Sequence, residues 1–115
     1  MFFVTIRMKV GPDKRMELSQ AITSLMGSIR VEKGCRGCNF YQSVEDENEF
    51  RVFGEWASRE ELASHLRSEH FKVLLGTTHL LDKPHEMGLY EVVAGSGKGG
   101  EADTLQDCTV KQATG

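Results

Sequence analysis

The sequence predicts an α+β domain: a four-stranded antiparallel sheet with helices on one face. Three observations carry this. Apolar residues alternate in runs at residues 2–10, 38–44 and 49–56, a helical apolar stripe lies between the first two runs, and two serine-led helical patterns precede a last apolar run.

Phe2, Val4, Ile6, Met8 and Val10 fall on one face of the first run, and Phe3, Thr5, Arg7 and Lys9 on the other. That period of two is a strand, broken by Gly11-Pro12. Asp13 is placed to cap a helix of about five turns whose stripe is Leu18, Ala21, Ile22, Leu25, Met26 and Ile29, with Gly34 as its stop. Residues 38–44 and 49–56 form a hairpin rich in aromatic and β-branched residues, turning through Glu45-Asp46-Glu47-Asn48. Ser58-Arg59-Glu60-Glu61 is a capping box, in which the serine bonds a backbone N–H of the first turn and the glutamate reaches back. Leu62 and Leu66 continue that helix, and Ser68 restarts it with Phe71, Leu74 and Leu75 facing inward. Pro84 ends helical structure, and residues 88–93 supply the last strand. The order β-α-β-β-α-β is the ferredoxin-like arrangement. Residues 1–93 form the domain, and the Gly-rich stretch that opens residues 94–115 reads as a flexible tail.

At 115 residues the chain holds one core, and 39% apolar with 27% charged residues is ordinary for a globular protein. A net charge of −3, with Lys and Arg spread among acids, gives no reason to expect a nucleic-acid partner. The N-terminus lacks the pattern of a signal peptide, and no run approaches the ~20 apolar residues of a membrane span. Three cysteines do not make a disulfide framework, so the expectation is a cytoplasmic protein with reduced thiols. Gly95-Ser96-Gly97-Lys98-Gly99 is not a phosphate loop, because Val92 replaces its first glycine and no Ser or Thr follows Lys98.

Both sheet faces carry aromatics. Phe3, Tyr41 and Phe53 share one parity, and Phe40, Phe50 and Trp56 the other. Helices cover only one set. Leaving several aromatics wet forgoes a few kcal/mol at ~25 cal/mol per Å², so the sequence predicts a homodimer that pairs sheet to sheet. Thr5, Arg7, Lys9, Arg51 and Glu55 soften the outer face, and a monomer is the competing expectation.

Several stretches resemble the antibiotic biosynthesis monooxygenase superfamily, which has dimeric α+β barrel architecture. They are Phe3-Val4-Thr5-Ile6, Gly34-Cys35-Arg36-Gly37-Cys38 with Phe40-Tyr41-Gln42-Ser43, and Phe53-Gly54-Glu55-Trp56 running through Ser58-Arg59-Glu60-Glu61-Leu62 to His65-Leu66 and Ser68-Glu69-His70-Phe71. The resemblance covers residues 1–93 and is most specific from Glu55 to Phe71. It implies quinol-forming monooxygenases, haem-degrading enzymes or signal-molecule isomerases, and fold alone does not choose among them. The haem-degrading branch relies on an Asn, a Trp and a His where this chain holds Thr5, His65 and Leu75, which points away from haem. Some members oxygenate polycyclic aromatics with no metal or flavin, because the deprotonated substrate supplies the electrons.

His65 is the candidate catalytic base. Glu69 follows it by one turn and is placed to orient its imidazole, and the position is often His in the resembled family. Asn39, Tyr41, Trp56, His70 and Phe71 are the candidate substrate-binding residues, although a lone Trp such as Trp56 more often serves core or interface packing and Tyr41 suits a dimer interface equally well. No histidine pair has helix-face ligand spacing, so no metal site is expected. Cys35 and Cys38 precede a strand rather than open a helix, unlike a redox pair. The leading function is a cofactor-independent monooxygenase of a small aromatic, quinol or polyketide-like substrate, bound in an apolar hollow under the helices. The alternatives are a related isomerase using His65 for proton transfer and a non-enzymatic small-molecule-binding dimer.

Overall fold

The computed structural model describes residues 1–92 and 109–112. Along the chain lie β1 (Phe2–Lys9), α1 (Arg15–Arg30), β2 (Cys35–Gln42), β3 (Glu49–Trp56), α2 (Arg59–Leu66), α3 (Glu69–Gly76), a 3₁₀ turn (Thr77–Leu80), β4 (Glu86–Glu91) and β5 (Thr109–Gln112). The sheet order is β2-β3-β1-β4-β5, and every ladder is antiparallel. The first four strands and the helices make the ferredoxin-like α+β fold. β5 adds a rung beyond β4, pairing Gly88 with Gln112 and Glu91 with Thr109. The rest of the tail expected at 94–115 lies outside the described residues.

Alternation in β1 and β3 sorts side chains onto the faces that their spacing predicts. Val4, Ile6, Met8, Phe50, Val52 and Trp56 are buried under the helices. Phe3 and Phe53 sit together on the opposite, outer face, with ring centroids 5.3 Å apart. The α1 stripe buries Leu18, Ile22, Met26 and Ile29 against the inner face, each contributing about 1.5–3 kcal/mol of hydrophobic stabilisation. Serine caps open both short helices: Ser58 accepts from the Glu61 N–H, and Ser68 from the Phe71 N–H.

Some local details differ from expectation. No side chain caps α1, which begins after Lys14 rather than at Asp13. Gly34 lies four residues beyond the last helical residue, and its φ of 85° instead turns the chain into β2. β2 starts at Cys35 because a bulge between Cys35 and Gly37 absorbs one extra residue and resets the pairing with β3.

Candidate active site

α1 ends at Arg30 and the chain turns through residues 31–34 before entering β2. That turn carries Glu32, whose carboxylate faces the two short helices. The Nδ1–H of His65, on α2, donates to one Glu32 oxygen at 2.9 Å. The Nδ1–H of His70, on α3, donates to the other, also at 2.9 Å. An ionised carboxylate only accepts, so these bonds place a proton on Nδ1 in both rings and leave each Nε2 without a bond to the carboxylate. His65 is 4% exposed, whereas the side chain of His70 is 42% exposed. One carboxylate thus links a buried imidazole to one at the surface.

The His65 ring lies between two aromatics. It stacks on Trp56 with centroids 4.3 Å apart and an interplanar angle of 24°, and it meets Phe71 edge-on at 5.2 Å. Trp56 is flat against the sheet because Gly54 offers no side chain there; a Cβ would sit 3.0 Å from the indole Nε1. That buried Nε1–H has no hydrogen-bond partner among the described residues, an orphan donor of the kind that ordered interiors seldom leave without a use. Burial pushes the His65 imidazole below its usual 6.5, outweighing the opposite pull of Glu32. His65 is therefore neutral at neutral pH, with an oriented, unprotonated Nε2: the state of a general base.

The expected partner of His65 was Glu69. The structure replaces it with Glu32, because α2 stops at Leu66 and Ser68 starts a separate helix, so His65 and Glu69 do not share a continuous helix face. Of the sequence-predicted residues, His65, Trp56, Phe71 and His70 come together. Asn39 and Tyr41 pair across the strands with Phe53 and Arg51 and so belong to the outer face, where Tyr41 is 53% exposed. The expected hollow beneath the helices is a second correction. The space bounded by Val4, Ile29, Trp56, His65, Phe71 and Leu74 is only about 10 Å³, room for a single water at most. Side chains of α1 and the inner sheet face fill the rest. A larger groove of about 180 Å³ lies elsewhere, between α2 and the ends of β1 and β4.

Glu32 was the residue missed. It is 33 positions from His65 and 38 from His70, and its only sequence signal is an acid placed in the turn just before a positive-φ glycine. Cys35 and Cys38 are free thiols. Burial raises both, Cys38 to about 11, the opposite of a reactive thiolate. Among the described residues no group of three or more metal-ligating side chains converges, and no helix is long and apolar enough to cross a membrane.

Comparison with known proteins agrees with this architecture. A conserved protein from Methanosarcina mazei Go1 superposes with a TM-score of 0.74 at 30% identity, covering 78% of this chain and 90% of that one. Rv0793 from Mycobacterium tuberculosis gives 0.74 at 25% identity, over 84% and 98%. An uncharacterized protein of Synechocystis is 31% identical over 85 residues, 73% of this chain but 58% of the relative, so the chain spans less than two thirds of that protein. The family model described as antibiotic biosynthesis monooxygenase matches residues 1–75, which takes in β1 through all but the last residue of α3, with Glu32, His65 and His70 inside it. This chain belongs to the antibiotic biosynthesis monooxygenase family.

Proposed function

We propose that the protein is a cofactor-independent monooxygenase of a small aromatic, quinol or polyketide-like substrate, with His65 as general base. One observation carries the reading: Glu32 holds a neutral, buried His65 on one oxygen and a surface-facing His70 on the other. Nε2 of His65 removes a proton from a phenolic O–H or from a CH₂ between aromatic rings. The anion is the reductant and dioxygen the oxidant. For the CH₂ case, one oxygen atom becomes the new carbonyl and the other leaves as water with the two hydrogens. Glu32 stabilises the imidazolium formed on His65, and His70 holds the second oxygen of that carboxylate in place. Trp56 and Phe71 keep the site dry, and the unpartnered indole N–H is available to an oxyanion.

The test is oxygen uptake over a panel of anthrones and hydroquinones. Uptake is expected, with His65→Ala lowering kcat by roughly 10²–10⁴-fold and His70→Gln shifting the pH profile rather than abolishing turnover. Absence of uptake across the panel rejects the monooxygenase reading, and an unchanged rate in His65→Ala removes His65 as the base. The groove of about 180 Å³ that lies away from His65 supports a second reading, a ligand-binding dimer that takes its guest there and does no chemistry. Thermal stabilisation by the same compounds without uptake selects it. In both readings the working form is a homodimer paired through the outer sheet face, supported by the Phe3–Phe53 pair and by the exposure of Tyr41.

A further inference from the structure

The groove between α2 and the ends of β1 and β4 shares no lining residue with the space around His65. Its walls are Phe2, Leu62, Leu66 and Leu89, and charge enters only at the rim, where Arg59 and Glu91 face each other. We propose that this groove is a separate binding site for a small aromatic carboxylate, with the ring seated among the apolar side chains and the carboxylate on Arg59.

Size, polarity and charge support one occupant. A volume of about 180 Å³ slightly exceeds the ~150 Å³ apolar cavity that takes one benzene, so a single ring with a short substituent fits it. The lining is almost wholly apolar, which a ring satisfies and a sugar or phosphate does not. The Arg59 guanidinium lies 5.4 Å above the centre of the Phe2 ring, so the fork stands directly over the apolar floor. Among the described residues only one of its nitrogens is engaged, Nη2 with Glu91 at 3.3 Å, and the two side chains are 62% and 43% exposed. An ion pair that exposed is weak, so a carboxylate able to accept two parallel N–H bonds displaces Glu91 from Arg59. An amine would instead need Glu91 and would leave Arg59 close above it.

The test is titration of the full chain with benzoate, benzylamine and acetate, followed by calorimetry and by the methyl resonances of Leu62, Leu66 and Leu89. Benzoate is expected to bind with a dissociation constant on the order of 1 mM and to shift those methyls, whereas benzylamine and acetate leave them unmoved. Arg59→Gln is expected to weaken benzoate about tenfold. Glu91→Gln, which frees the guanidinium, strengthens it roughly two- to fivefold. Both changes are at exposed positions and leave the fold intact. No saturable shift with benzoate overturns the site. Binding of benzylamine that Glu91→Gln abolishes overturns the charge assignment, and so does benzoate affinity unchanged in Arg59→Gln. His65→Ala leaves benzoate affinity unchanged, so a failure here and a failure of the monooxygenase reading are separately visible.

Discussion

The two faces of the sheet use similar residues and reach opposite solutions. On the inner face Phe50, Val52 and Trp56 are each at most 4% exposed, and the buried titratable side chains among the described residues are Cys38, a thiol raised by burial, and His65, held by one carboxylate. On the outer face Phe3 and Phe53 remain half-buried among charges. There Glu49 accepts from Arg7 at 3.1 Å, Lys9 reaches Asp46 at 3.3 Å, and Arg7 also approaches Glu86 at 3.6 Å. The inner face is finished within one chain, whereas the outer face is an aromatic centre in a mixed-charge frame. What separates them is which face the helices cover, and that choice also makes the histidine neutral and leaves the tyrosine wet.

The largest contrast is between aromatic truncations on the two faces. Trp56→Ala is expected to cost about 3–5 kcal/mol in urea unfolding, as a fully buried aromatic should. Phe53→Ala costs far less at low protein concentration and lowers the concentration-dependent part of the stability. Equal losses at every concentration would mean that the outer face is not an interface between copies. Sedimentation should show Phe53→Lys as a folded monomer; a persistent dimer would place the interface elsewhere.

A smaller effect concerns pH. The folded-state value of His65 lies below its unfolded value of 6.5, so over that interval the unfolded chain binds the extra proton. The contribution of His65 is therefore intact above about 6.5 and declines as pH falls below it. His65→Phe should flatten this part of the stability curve. A variant that kept the same acid-side slope would assign the slope to other groups. Smallest of all is Arg51→Gln on the outer face. Arg51 sits 3.7 Å from Glu49 with its side chain 53% exposed, and its loss should leave the unfolding midpoint of the isolated chain unmoved.

Much of this fold is legible in the residues. Alternation in β1 and β3 gives both faces their occupants, and Ser58 and Ser68 mark two helix starts through local capping chemistry. Boundaries shift where the cause is nonlocal: the bulge at Cys35–Gly37 depends on pairing with β3, and β4 begins at Glu86 because Arg7 lies opposite it on β1. At the site, the cluster of Trp56, His65, His70 and Phe71 follows from one short stretch of chain, and so does its exclusion of Asn39 and Tyr41 by strand parity. Glu32 does not follow, because contact across 33 residues depends on how α1 ends against α2, which no local pattern encodes. The volume beside His65 is equally hidden, since it depends on how Ile29, Trp56, Phe71 and Leu74 interlock once packed.

Glu32 also has a mechanical consequence. His65 and His70 stand on different helices, and the carboxylate between them spans the seam where α2 meets α3. A single carboxylate from the turn after α1 therefore ties both short helices to the end of the long one, through a residue that belongs to none of the three.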